Sequence, residues 1–162
     1  MFRRFGYALA PLTLAALVVV AIPAAMLGAD TTAQAAEQQA VSIKLTIPGG
    51  GAIEVPTKLS GRWNSDVDSS WGGGLYIRNL SKVAGEDASF EGEIKFANSN
   101  YSCWGYHPFT GAITAKAQLR ITTDLGSECG KVIVKLSKDG KKWRGTYEAE
   151  FPDNGDVTLS PS

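Results

Sequence analysis

The sequence predicts an all-β domain, an antiparallel barrel of about eight strands, with a β-sandwich as the alternative. From residue 41 onwards, apolar and polar residues alternate in short runs, the period-2 pattern of strands with one solvent-exposed face. Clusters of glycine, asparagine and aspartate separate these runs, and no window shows an apolar 3.6-residue period. A closed barrel is favoured because it removes the exposed edges of long alternating strands.

Residues 1–35 are predicted to be a signal peptide. Arginines at positions 3 and 4 precede an almost uncharged apolar run over residues 8–27. Ala33-Gln34-Ala35 then has the small-x-small form that signal peptidases cut. The alternative is an uncleaved anchor, because an apolar run of about 20 residues is just long enough to cross a bilayer as a helix.

The remaining chain is predicted to be a flexible tail, residues 36–40, followed by a single barrel domain, residues 41–162. We expect this domain in the periplasm or outside the cell. The whole chain has 16 basic and 16 acidic residues and one histidine. This balance argues against a nucleic-acid partner, and it gives no polybasic reason to bind a membrane after signal cleavage.

The first half of the domain contains five predicted strand segments. Residues 41–47 alternate without a fault, and residues 52–55 resume after a glycine-rich break, so a hairpin is expected. Residues 59–63 form a short strand. Three glycines then open the strand at residues 72–78, which excludes a phosphate-binding loop because no helix follows them. Residues 90–96 alternate aromatic or aliphatic residues with charged ones.

Residues 113–121 form the longest alternating pattern and are predicted to be one strand. Ala115 and Ala117 fall in its apolar phase, so we expect a bulky side chain to pack against them.

The C-terminal third is predicted to be a three-stranded meander. Residues 132–136 and 143–151 flank Asp139-Gly140, a strong two-residue hairpin signal. A second such turn is predicted at Asn154-Gly155, before residues 157–159.

Gly61-Arg62-Trp63 resembles the calycin-type barrels, the lipocalin and avidin group, in which a Gly-x-Trp on an early strand helps close one end of an up-and-down barrel. The segment Trp143 to Tyr147 similarly resembles the closing strands of small exported bacterial barrels. The resemblance implies a barrel, a ligand-holding role, and Trp63 as a packing residue at a barrel end. The predicted N-terminal hairpin departs from the family pattern, and no ligand-contacting residues of the family match.

Residues 98–112 hold one of the two cysteines, the sole histidine and four of the fifteen aromatic residues. Rings in loops or at strand ends can stack on sugar faces or line a barrel mouth, although they can also plug the barrel. On this reasoning the candidate ligand-binding residues are Trp71, Tyr101, Trp104, Tyr106, His107 and Phe109.

Cys103 and Cys129 are predicted to form a disulfide, which in the chain-entropy model stabilises an exported domain by about 3 kcal/mol. Two cysteines outside a C-x-x-C pair provide no zinc site, and no cofactor or metal is expected. The alternating oxygen ligands of residues 64–70 invite a calcium interpretation, but the loop fails the EF-hand template and is interpreted as a solvated turn.

The sequence therefore predicts a non-catalytic binding module that holds a small apolar ligand or a glycan at an aromatic-lined barrel end. No nucleophile motif accompanies His107, so the chain is interpreted as a binding protein and not an enzyme, with hydrolysis through His107 as a minor alternative. The main alternative is a protein-interaction role, as an inhibitor or envelope-assembly factor using the same loop. An open interior would favour the first function and a filled one the second.

Overall fold

The computed structural model describes residues 41–98, 105–127, 129–150 and 153–162. These residues form ten strands and contain no helix. Within this part of the chain, nothing has the length and apolar character of a membrane-crossing helix. The predicted signal peptide, residues 1–35, and the tail, residues 36–40, lie outside the described residues.

Eight of the ten strands form a closed antiparallel barrel, which confirms the predicted barrel over the sandwich. Each of these strands pairs with the next along the chain, and the last returns to pair with the first. The strands are β1 (Ser42–Thr46), β2 (Ala52–Pro56), β3 (Leu59–Ser65), β4 (Gly72–Lys82), β5 (Ser89–Ala97), β6 (His107–Ile113), β7 (Leu119–Asp124), β8 (Lys131–Asp139), β9 (Lys142–Ala149) and β10 (Asn154–Pro161), with β3 to β10 in the barrel.

The predicted N-terminal hairpin is present as β1 and β2, and it packs against one end of the barrel. Leu45 and Val55 are fully buried and belong to the same hydrophobic cluster as the barrel core. The Thr46 amide donates to the Asp87 carbonyl in the β4–β5 turn at 2.9 Å. We call this end, where β3 begins, the hairpin end, and the opposite end, where β3 finishes at Ser65, the loop end.

The prediction of one strand over residues 113–121 is wrong, because a turn interrupts it. β6 ends at Ile113 and β7 begins at Leu119, and these two residues pair across a five-residue connection. Ala117 lies in the left-handed region with φ 57°, where glycine is usual. The sequence therefore lacks the expected turn signal, and Ala115 and Ala117 do not lie in a strand.

The predicted turn at Asn154-Gly155 is also wrong. Both residues belong to β10, and Gly155 pairs with Ser65 on one side and Tyr147 on the other. The Ala149 amide instead donates to the Asp153 carbonyl. The connection between β9 and β10 therefore ends at Asp153, one residue before the predicted turn. The predicted turn at Asp139-Gly140 is close to the observed one, since β8 ends at Asp139 and β9 begins at Lys142.

Side chains fill the middle of the barrel. Leu75, Ile94, Ile121 and Val134 come from four different strands, and each has an exposed fraction of 0%. A side chain beside a void large enough for a water molecule would keep some accessible surface. Because these four side chains have none, there is no room for a ligand between them. Of the two sequence-based functions, the filled interior favours the one that uses the outside of the barrel.

Replacing Ala117 by glycine should stabilise the protein by about 0.5–1 kcal/mol, because alanine is strained in the left-handed region and glycine is not. Urea unfolding of the variant should show a higher midpoint. Ala115→Gly, in the same connection but without a positive φ, is the control and should be neutral or destabilising. Equal shifts in the two variants would contradict the assigned turn.

Candidate functional site

Three aromatic side chains close the loop end of the barrel. Trp63 meets Phe96 at 6.0 Å and Tyr147 at 5.6 Å between ring centroids, and Phe96 meets Tyr147 at 5.9 Å. All three pairs are edge-to-face, the arrangement that ring quadrupoles favour. This aromatic cluster places Trp63 at a barrel end, as the resemblance implies, and it lies beneath the loops.

A hydrogen-bonded network ties the surface of the loop end to this cluster. The Asp153 carboxylate accepts a hydrogen bond from the Ser65 hydroxyl at 2.5 Å and another from the Tyr147 hydroxyl at 2.9 Å. Ser65 and Tyr147 are buried, whereas Asp153 is half-buried. The carboxylate therefore joins the ends of β3 and β9 to the start of β10.

The same serine hydroxyl orders residues 66–71, the connection that we call the β3–β4 loop. Its oxygen accepts hydrogen bonds from the amides of Val67 and Asp68 at 3.1 and 3.2 Å. The Ser65 amide donates to the Trp71 carbonyl at 3.0 Å, which draws the two ends of the loop together. The loop is thus fixed by bonds to a buried anchor.

Asp68 fixes the far side of the β3–β4 loop. Its Oδ1 accepts hydrogen bonds from the Ser70 hydroxyl at 2.6 Å and the Ser70 amide at 2.8 Å. These two bonds, the side-chain bond first, hold the pKa of the Asp68 carboxyl below its usual value of 3.8. Two of the side chains that invited a calcium interpretation, Asp68 and Ser70, thus bond to each other within the loop.

The ordered loop exposes two apolar side chains. Val67 is 60% exposed and Trp71 is 36% exposed. Exposing apolar surface on a loop held this firmly gains nothing for folding, so the pair is a candidate recognition surface.

The structure separates the predicted ligand-binding residues. Trp71 is at the exposed loop end, and Tyr106 is half-buried beneath Arg78, whose guanidinium carbon lies 3.6 Å from the ring centroid. Phe109 is inside the barrel, 3% exposed, and packs edge-to-face against Phe90. The prediction that Phe109 lies in a loop or at a strand end is wrong, because β6 already begins at His107 and Phe109 faces inward from its third position.

His107 is half-buried at the start of β6. Its Nε2 atom is buried and has no hydrogen-bond partner within the described residues. His107 also borders a cleft of about 530 Å³ that includes Asp124 and Glu150. One oxygen of each carboxylate accepts a hydrogen bond from a backbone amide, Gly126 for Asp124 and Lys131 for Glu150, and neither carboxylate bonds to Nε2 of His107.

Three predicted residues, Tyr101, Cys103 and Trp104, lie outside the described residues. Cys129 is half-buried, packs against the hydrophobic core, and is not a free cysteine. Its pairing with Cys103 stays a prediction.

The outer wall carries a groove of about 590 Å³. It crosses β4 to β8 and includes Glu91, Glu93, Thr110 and Asp124. Arg78 and Asn79 both donate to the Glu93 carboxylate, at 2.9 and 2.7 Å, and these bonds lower the pKa of Glu93. The groove is open to solvent and carries charged side chains, unlike the enclosed site expected for a small apolar ligand.

In comparisons with known proteins, no family model, no curated protein and no solved structure matches this chain. The closed meander of eight antiparallel strands is compatible with a calycin-like fold.

Several of these residues have no sequence signal. Ser65 and Asp153 are 88 positions apart, and only closure of the barrel brings them together. Val67 is different, because an isolated valine in an otherwise polar loop is visible in the sequence and could have been chosen.

Ser65→Ala should lower the free energy of unfolding by about 1–2 kcal/mol, since it removes the acceptor of the Val67 and Asp68 amides and the donor to Asp153 Oδ1. Combining it with Asp153→Asn in a double-mutant cycle should give a coupling energy of about 1 kcal/mol. Urea denaturation measures both values.

Ser137→Ala, at an exposed position on β8, is the matched control and should change stability by less than about 0.5 kcal/mol. Strict additivity of Ser65→Ala and Asp153→Asn would contradict the network.

Proposed function

We propose that this protein is an exported, non-catalytic binding module that recognises a protein partner through its loop end, as an inhibitor or an envelope-assembly factor would. The observation that supports this proposal most directly is the β3–β4 loop, which presents Val67 and Trp71 from a hydrogen-bonded frame. The partner then binds to the outside of the barrel and not to its interior.

Rigidity is the physical reason to assign recognition to this loop. A loop that is ordered before binding loses little conformational entropy when a partner docks, so more of its contact energy remains as affinity. Tryptophan is also enriched among the residues that dominate protein interfaces. Trp71 is partly exposed on this ordered loop, which also exposes Val67, so the loop has both properties.

The patch is small, so a stable complex needs more of the loop end. Protein interfaces of standard size bury about 800 Å² on each partner. Residues 125–127 and 129–130, between β7 and β8, and Asp153, before β10, lie at the same end of the barrel, and the polar side chains of Ser127 and Asp153 are suited to the rim of such an interface.

A glycan bound at the barrel end is the second candidate function. Trp71 supports it, because an exposed indole can stack on a sugar face. A small apolar ligand inside the barrel has less support, since the central side chains leave no space between them. The two remaining candidates differ in what should contact Val67, whose branched aliphatic side chain suits a protein partner better than a polar sugar.

A photoreactive amino acid at position 67 of the full chain tests the proposed function in the cells that make it. Irradiation should yield a discrete crosslinked protein. The same amino acid at position 41, which is 74% exposed, is the control and should not yield that product. Affinity of the purified partner should fall about 30-fold in Trp71→Ala, the loss typical of one interface hot spot.

Equal crosslinking from positions 67 and 41, or none from either, would contradict the protein-binding proposal. If position 67 gives no product but oligosaccharides change the Trp emission of the wild type and not of Trp71→Ala, the glycan function is supported in its place.

A further inference from the structure

The outer wall of β3, β4 and β5 carries an exposed aromatic ring that the proposed function does not use. Tyr76 points outward from β4 and is 40% exposed. A Cβ built on Gly74 would lie 2.6–2.9 Å from three atoms of the Tyr76 ring. The end of the Tyr76 side chain therefore packs over Gly74, where a Cβ would clash with it, and the ring keeps substantial exposed surface.

Two cations flank this ring on the neighbouring strands. Arg62 on β3 stands directly opposite Gly74, and Lys95 on β5 stands directly opposite Tyr76. Side chains of directly paired residues have their Cβ atoms about 5 Å apart, so both cationic side chains can reach a ligand that lies on the ring.

Neither cation has an ion-pair partner in the described part of the chain. The Lys95 ammonium lies over the face of Tyr106, with its Nζ 5.9 Å from the ring centroid. The nearby acid Glu93 is already occupied by Arg78 and Asn79, and Asp156 stands opposite Asn64 and not opposite Arg62. The wall around Tyr76 therefore has excess positive charge on a chain that is neutral overall.

We propose that this surface, Tyr76 with Arg62 and Lys95, binds an acidic glycan whose sugar rings carry carboxylates. The apolar face of one sugar stacks on the flat tyrosine ring. Its carboxylate accepts charge-assisted hydrogen bonds from Arg62 on one side or Lys95 on the other.

A glycan fits this surface better than a nucleic acid does. Proteins that bind single strands follow the backbone with a long basic groove and several stacked rings. Here one exposed ring stands between two cations that have no ion-pair partner among the described residues, and the adjacent Arg78 is neutralised by Glu93 at 2.9 Å. One uronic acid residue supplies the apolar face and the single charge that this arrangement matches.

Titration of the full chain with tetragalacturonic acid, followed by amide NMR, tests the proposal. Binding should move the amides of Gly74 and Lys95, and it should weaken as salt is raised, because screening reduces the attraction. The methyl-esterified tetrasaccharide has the same rings without charge and should bind about tenfold more weakly or worse.

Variants separate the two contacts. Tyr76→Ala should weaken binding about tenfold, whereas Tyr76→Phe should keep it, because stacking needs the ring and not the hydroxyl. Arg62→Gln should weaken binding several-fold and reduce its dependence on salt. Arg120→Gln, at an exposed position on β7, is the matched control and should leave binding unchanged.

Failure of the wild type to bind tetragalacturonic acid would overturn the proposal. So would equal binding of its methyl ester, or unchanged affinity in Tyr76→Ala. Tighter binding of an oligothymidylate than of the tetrasaccharide would replace the acidic glycan with a nucleic acid. Trp71→Ala should leave tetrasaccharide binding intact. The proposal for this site and the proposal for the loop end are therefore tested separately.

Discussion

An eight-stranded barrel is narrow enough for its side chains to fill it, and the two proposed surfaces of this protein depend on that packing. Leu75, Ile94, Ile121 and Val134 meet in the middle with no accessible surface. The Trp63 cluster closes one end, and Leu45 and Val55 of the hairpin cover the other. A barrel filled in this way is a rigid scaffold, and both proposed surfaces therefore lie on its loops and its outer wall.

The two proposed surfaces use that scaffold in different ways. At the loop end, the buried Ser65 hydroxyl holds the β3–β4 loop in place on β3, because it bonds both to Asp153 and to the loop amides. On the wall, the scaffold acts through strand register, which brings Arg62 and Lys95 beside a ring that lies on Gly74. Neither surface requires a cavity in the barrel, and the same packed core supports both.

The sequence predicts the fold well because alternation and turn signals are local. It misplaces Ile113 to Ile121 because Ala117 adopts a left-handed conformation that no local rule assigns to alanine. It places Phe109 outside the core because β6 begins at His107 and Pro108, two residues that do not indicate a strand. The Ser65 network cannot be predicted from patterns, since its members meet only when β10 pairs with β3. The candidate site could therefore not be predicted from the sequence, because its residues come together only in the folded barrel.

Xenon binding in crystals of the full chain tests the central claim most directly, because xenon occupies apolar cavities without needing a specific ligand. The filled interior predicts no xenon between Ile94, Ile121 and Val134, even at pressures that occupy apolar sites elsewhere on the protein. A xenon atom bound among these three side chains would show that the barrel holds an internal cavity, and it would contradict the account of a scaffold that binds only on its outside.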